Sequence, residues 1–175
     1  PKQFTLLGGM PVLARTIKAC AAARPGAEIV VVLPERYTAF WTDCAARFDV
    51  AKHHTATGGA ERFDSVRRGI EALRSDPELI AVQDGVRPLA SVGMIRRVAA
   101  DAAPYGAAIP VIAAVDSLRE VEEDAEGRIT ASHIVDSRRF RSVPTPQILR
   151  DALLRKTYVT PYRAVCTAYP SLVVA

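Results

Sequence analysis

The chain has 175 residues, enough for one domain with a real core, and a composition of 49% apolar, 24% charged and 6% aromatic residues excludes a disordered or fibrous class. Its net charge of +4 comes from arginines scattered along the chain. With no basic run interleaved with aromatics, nucleic acid has no support, and an anionic small substrate accounts for the excess equally well.

Cys20, Cys44 and Cys166 lie far apart without CxxC spacing, which indicates neither a disulfide framework nor a zinc cluster and suits a reducing cytoplasm. The longest apolar runs, such as EIVVVLP, read as strands, so no signal peptide or membrane span is expected. In chain order, LLGGMPVL reads as a turn entering a helix over 11–22, where Val12, Leu13, Ile17 and Cys20 recur at helical spacing and Pro11 suits a first turn. Residues 29–33 form a β-branched run stopped by Pro34, the pattern of a strand buried on both faces of a parallel sheet. A helix over 36–48, a short strand over 50–54 and the turn TATGGAERFDS follow. The next helix is predicted over 66–73, capped by Ser65 or Asp64. After it come a strand over 79–83, a helix over 95–103 and a strand over 107–113. SLREV and RITAS then flank the acidic turn EEDAEG as a hairpin-like β-arm over 115–133, a candidate dimer contact. VPTPQIL makes an extended turn before a helix over 148–154. Alternating strands and helices predict an α/β fold: one domain over 1–175, with a mostly parallel twisted sheet, helices on both faces and ligands outside the carboxyl ends of the strands.

Asp84 and Arg87 sit at such a strand end. The carboxylate can hold Mg²⁺ or a ribose hydroxyl, and the guanidinium can grip a phosphate in bidentate fashion. The plainer alternative is a turn cap and a surface ion pair. The turn TGGAERFDS ends on a hydroxyl at a helix start, where backbone N–H groups can meet an anion or a base edge; it can equally be only a turn. Lys2, ahead of a helix, can neutralise polyphosphate or be merely solvated, and Thr145 can offer a hydroxyl to a phosphate or sit in a plain loop. His53, His54 and His133 have no partners at metal-ligand spacing, and no serine sits in a GxSxG elbow.

Taken in order, PKQF, TGGAERFDSV, VQDGVRP, VDS and TPQ resemble the motif series of the 2-C-methyl-D-erythritol 4-phosphate cytidylyltransferase family, over nearly the whole chain. The resemblance implies a Rossmann-like nucleotidyltransferase fold with a protruding β-arm, a homodimer joined through that arm, and Mg²⁺ with CTP as co-substrate. It implies that Lys2 stabilises the pentavalent phosphorus, that Gly59 and Ser65 hold the cytosine, and that Asp84 serves CTP, its Mg²⁺ and the acceptor region. Arg87, Ser117 and Thr145 would then contact methylerythritol phosphate. Ser137 stands where the family carries an Arg that reaches the partner subunit's substrate, so Arg138 is expected to substitute. The same resemblance places a Gly-rich triphosphate loop upstream of Pro1, an acidic stretch between Arg163 and Ala164, and a late lysine and aspartate beyond Ala175; this chain spans none of the three.

The implied reaction makes 4-diphosphocytidyl-2-C-methyl-D-erythritol and pyrophosphate for isoprenoid precursors. Two alternatives stand beside it. A cytidylyltransferase for ribitol 5-phosphate or another alditol phosphate would share the turns and the CTP chemistry. A non-enzymatic signalling module would accept phosphate on Asp84.

Overall fold

The computed structural model describes residues 1–159; Cys166 and the Arg163/Ala164 junction lie outside the described residues. A 3₁₀ turn, Lys2–Phe4, leads into a small hairpin of strands β1 (Leu6–Leu7) and β2 (Met10–Pro11). Its two-residue turn is Gly8-Gly9, with φ of +55° and +77°, a left-handed pair that suits hairpin twist and that side chains resist. Helix α1 (Val12–Ala23) follows at once, with buried Pro11 as its N-cap residue rather than inside its first turn.

Strand β3 (Val30–Leu33) buries Val31 and Leu33 but leaves Val30 and Val32 partly exposed. It pairs in parallel with β4 (His54–Thr57). Between them lie a 3₁₀ turn (Glu35–Tyr37) and helix α2 (Thr38–Arg47), whose Trp41 is fully buried against Leu13, Ala14 and Ile17 of α1 and Val31 and Leu33 of β3. The strand predicted over 50–54 therefore begins four residues later. Val50 and Ala51 pack on the same core from the preceding loop, which explains their apolar character without pairing.

Helix α3 (Arg62–Glu71) begins four residues earlier than predicted, and neither Ser65 nor Asp64 caps it; Glu61 is the N-cap residue and its side chain makes no capping bond. Strand β5 (Leu79–Val82), helix α4 (Val92–Tyr105) and strand β6 (Ala107–Ala108) come next. Ser91 accepts from the Met94 N–H at the start of α4, and Gly106 closes its end. The single strand predicted over 107–113 is two pieces. β6 and β7 (Ile112–Ala113) pair with different partners, with Pro110 between them.

The arm is β8 (Arg119–Glu123) against β9 (Ile129–Ile134), antiparallel with a bulge at Glu122/Glu123. After a 3₁₀ turn (Ser137–Arg139) and β10 (Arg141–Ser142) comes β11 (Gln147–Arg150), then helix α5 (Asp151–Val159). The predicted helix at 148 is thus a strand for its first three residues. β11 lies antiparallel between β5 and β6, which leaves β5 and β6 parallel to each other across it. Its alternation serves both faces: Ile148 packs with Val98 and Ala102 of α4, while Leu149 packs with Ile70 of α3 and with Leu154 and Tyr158 of α5. Helices cover both faces of this sheet, which makes the architecture α/β.

Candidate functional site

Three separated loops meet at the end of β5. The first is the turn after β4. A Cβ on Gly59 would fall 2.2 Å from Asp64 Cβ, so only glycine lets this turn fold onto the start of α3. The Gly59 N–H donates to Ser65 Oγ at 3.1 Å, and that hydroxyl donates to Glu61 O at 3.0 Å. The Gly58 N–H donates to Leu33 O, and Arg68 donates to Gly58 O at 2.7 Å. Both glycine amides are therefore satisfied inside the chain, and the turn is held rigid from both ends.

The second loop is Asp84–Ala90. Arg87 N–H donates to Asp84 O in a tight turn, and Arg87 Nε lies 3.5 Å from Asp84 Oδ2. The other carboxylate oxygen, Oδ1, takes Arg62 at 3.3 Å from the first turn of α3. Both plain readings of Asp84 and Arg87, turn and ion pair, are thus realised, and Arg62 adds the link that joins the GGAER turn to the DGVRP loop. Arg62 also lies close enough to the buried Tyr158 to oppose the upward shift that burial imposes on its phenol. Behind the loop, buried Thr16 of α1 hydrogen-bonds Gly85 O at 3.1 Å.

The third loop carries TPQ. Thr145 is buried, and its Oγ1 accepts the Asp84 N–H at 3.1 Å and Gln83 Nε2 at 3.0 Å. Two acceptor sites on one hydroxyl are thereby filled, leaving its own proton to donate. Thr145, Arg87, Val86, Pro88, Leu89 and Met94 border an open pocket of about 300 Å³. Among the described residues the buried Oε1 atoms of Gln83 and Gln147 have no hydrogen-bond partner.

Lys2 is exposed on its 3₁₀ turn, and its ammonium makes no hydrogen bond or ion pair among the described residues. The turn itself is pinned by Phe4, whose ring packs against Tyr37, Phe40 and Trp41. Ser117 and Arg138 belong to the arm region. Ser117 is exposed just before β8, and Arg138 makes a two-pronged pair with Asp136 at 2.8 and 3.0 Å. That pairing holds the Asp136 carboxyl below its usual range and raises the guanidinium. The three histidines have other partners: Trp41 Nε1 donates to His53, His54 lies between Glu28 and Ala72 O, and His133 faces Glu122.

Among the described residues no group of three or more His, Cys, Asp or Glu could hold a metal ion. A lone carboxylate still fits Mg²⁺, which takes one or two carboxylates and completes its shell with substrate phosphates and water. Asp84 is such a group, partly exposed, its carboxylate held among the described residues by long contacts to two arginines. Arg62 is the site residue that sequence reasoning missed. Its position inside GGAER, between the glycines and the serine, was the available signal.

The sequence profile of the IspD family, 2-C-methyl-D-erythritol 4-phosphate cytidylyltransferase, matches residues 1–168. A Porphyromonas gingivalis protein of that name is 38% identical over 169 residues, covering 95% of this chain and 72% of the relative. One from Bacteroides thetaiotaomicron is 36% identical over 159 residues, covering 90% and 69%. Among solved structures, the 2-C-methyl-D-erythritol 4-phosphate cytidylyltransferase of Thermus thermophilus superposes with a TM-score of 0.70 at 29% identity, covering 97% of this chain and 80% of that one. The 4-diphosphocytidyl-2C-methyl-D-erythritol synthase of Anaerococcus prevotii gives 0.76 at 20% identity, covering 94% and 74%, a likeness of fold.

Proposed function

Because this chain belongs to the 2-C-methyl-D-erythritol 4-phosphate cytidylyltransferase family, we propose that its joined loops carry the transfer of a cytidylyl group from CTP to 2-C-methyl-D-erythritol 4-phosphate. The chain is an enzyme, a nucleotidyltransferase of isoprenoid precursor biosynthesis. The family match over nearly the whole length carries this reading. No observation favours ribitol 5-phosphate as acceptor, and an enzyme's role displaces that of a signalling module.

In the reaction an oxygen of the acceptor's phosphate attacks the α-phosphorus of CTP. The bond from that phosphorus to the oxygen bridging to the β-phosphorus breaks in line, and pyrophosphate departs with the electron pair. The protein supplies no nucleophile, so acceleration comes from positioning and from neutralising charge. Lys2, uncommitted to any other described group, is the mobile cation for the developing charge at phosphorus. The rigid Gly58–Ser65 turn shapes the cytosine pocket, with Gly59 setting its closeness and Ser65 holding its curve. Asp84 would take the ribose hydroxyls and would be the carboxylate to hold Mg²⁺, which would supply neutralisation of phosphate charge. Arg87 and Thr145 face the acceptor from the neighbouring pocket.

A second copy of the chain is the partner, joined through the arm. An isolated two-stranded hairpin is marginal in water, yet this one leaves Ile129 63% and Ile134 82% exposed, with Val115 beside it 90% exposed. Ser117 and Arg138, which flank the two strands at the base of the arm, then belong to a site shared between copies. Among the described residues no helix is long and apolar enough to cross a membrane. Among the described residues Cys20 and Cys44 are free thiols, and the proposed compartment is the cytoplasm.

Pyrophosphate release by the full chain from CTP and methylerythritol phosphate tests the reading. Turnover is expected, with Lys2→Ala slower by roughly 10²–10³-fold, the usual loss on removing one transition-state donor. Absence of pyrophosphate would sink the assignment, and an unimpaired Lys2→Ala would remove the lysine from it.

A further inference from the structure

The side chain of Lys2 does not fix its own position. It is exposed and makes no hydrogen bond or ion pair among the described residues. The reach of its ammonium is therefore set by the backbone that carries it, the 3₁₀ turn Lys2–Phe4. That turn closes on itself, the Phe4 N–H donating to Pro1 O at 3.0 Å and the Thr5 N–H to Lys2 O at 3.3 Å. The Val12 N–H, donating to Thr5 O at 3.0 Å, ties its exit to the start of α1.

Its lateral anchor is the ring of Phe4, two residues from the lysine. The ring centroid lies 5.6 Å from that of Tyr37, 4.9 Å from Phe40 and 6.1 Å from Trp41, all within the range of attractive aromatic pairs. Trp41 is a firm seat: it is fully buried, and its indole N–H donates to His53 Nε2 at 2.9 Å. With that nitrogen accepting, His53 Nδ1 carries the proton and donates to Ala51 O at 2.7 Å. A continuous line of contacts thus runs from the core, through His53 and Trp41, to the turn that bears Lys2.

Resting on the functional reading above, we infer that Phe4 is a positioning residue for the transfer: its ring, seated on Trp41, Phe40 and Tyr37, fixes where the Lys2 ammonium meets the developing charge. A lysine stem is flexible, so a turn released from this seat spreads the ammonium over a wider volume, and a misplacement near 1 Å can cost about 10²-fold. The lysine acts on the transition state, so the loss falls on kcat and leaves binding of CTP alone.

The test measures kcat and KM for CTP in the full chain, with Mg²⁺ and saturating methylerythritol phosphate. Phe4→Leu keeps apolar bulk and removes the ring. Phe40→Leu thins the same cluster at a side chain 54% exposed, where the fold depends on it least. Each is made in the parent and in Lys2→Ala. With Lys2 present, Phe4→Leu is expected to lower kcat by about tenfold to 10²-fold and Phe40→Leu by less, with KM for CTP unchanged. In Lys2→Ala neither change should lower kcat further. General damage to the fold lowers kcat by the same factor with or without the lysine, so equal factors in the two backgrounds overturn the inference. An unaltered kcat, or a change confined to KM, overturns it too; if Phe4→Leu does not fold, the Phe40→Leu pair decides alone. Turnover that survives Lys2→Ala unimpaired removes the inference and leaves the family activity standing, whereas a parent that releases no pyrophosphate from CTP sinks the functional reading and this inference with it.

Discussion

The hydroxyl of Thr145 is the point at which one atom holds two of the loops together. Replacing it in Thr145→Val keeps the shape but leaves the Asp84 N–H and the Gln83 amide without their acceptor. An orphaned buried donor costs about 1–3 kcal/mol, which gives about 2–6 kcal/mol for the two. Gln83 Nε2 also lies 3.1 Å from Asp84 O and keeps that partner, so its share shrinks. We therefore expect a loss of about 2–3 kcal/mol, chiefly from the Asp84 amide. Against the 5–15 kcal/mol typical of a domain this is large, and it corresponds to a fall in Tm of roughly 4–12 °C for a chain of this size. Urea unfolding followed by circular dichroism measures it. Thr145→Ser retains the oxygen and should recover most of the loss. Activity should fall in parallel, because Asp84 loses its backbone anchor and a misplacement near 1 Å can cost about 10²-fold. A Thr145→Val protein within about 0.5 kcal/mol of the parent, the range of ordinary surface changes, would refute the reasoning, as would a Thr145→Ser protein equally damaged.

Arg62→Met should lower stability by less than about 1 kcal/mol, because its pair with Asp84 is half-exposed, yet lower kcat/KM; combined with Asp84→Asn it should cost no more activity than the worse single change, and additive losses would mean the two act separately. His53→Phe removes the acceptor of the fully buried Trp41 indole at 2.9 Å, which should cost about 1–3 kcal/mol in denaturant unfolding followed by tryptophan fluorescence. Glu28 is held at a pKa of about 2 by the Ser75 hydroxyl first, then by the Arg74 and Ser75 amides, against an ordinary 4.5. A depressed carboxyl stabilises the fold above its unfolded pKa and loses that contribution as pH falls toward the folded one; unfolding titrations should thus show a pH-dependent decline between about 4.5 and 2 that is weaker in Glu28→Gln. Ile134→Arg on the arm should turn a dimer into a monomer by light scattering without altering the circular dichroism spectrum, and an unchanged mass would argue against the arm as interface.

Elements whose burial follows their own local period were legible in the sequence. Helix α1 and strand β3 appear where spacing and β-branching put them, and the arm appears between its two short strands. What escaped was set by distant partners. Ile148-Leu149-Arg150 continues so smoothly into Asp151-Ala152-Leu153-Leu154 that it reads as a helix, yet antiparallel pairing to both β5 and β6 makes those first residues a strand. His54–Thr57 carries little apolar signal of its own and becomes a strand because β3 lies beside it in register. At the site, the glycines, Ser65, Asp84, Arg87 and Thr145 announced themselves by residue type beside turns. Arg62 did not, since an arginine in a helix's first turn is ordinary until the fold brings Asp84 within 3.3 Å of it.

The central claim is a direct displacement on CTP by the acceptor's phosphate, in a site that lends charge and position but no nucleophile. Turnover of CTP made chiral at its α-phosphorus by sulfur substitution tests this most directly. The account predicts one pyrophosphate released per diphosphocytidyl product and inverted configuration at that phosphorus; retained configuration, the mark of a cytidylyl-enzyme intermediate, would contradict it.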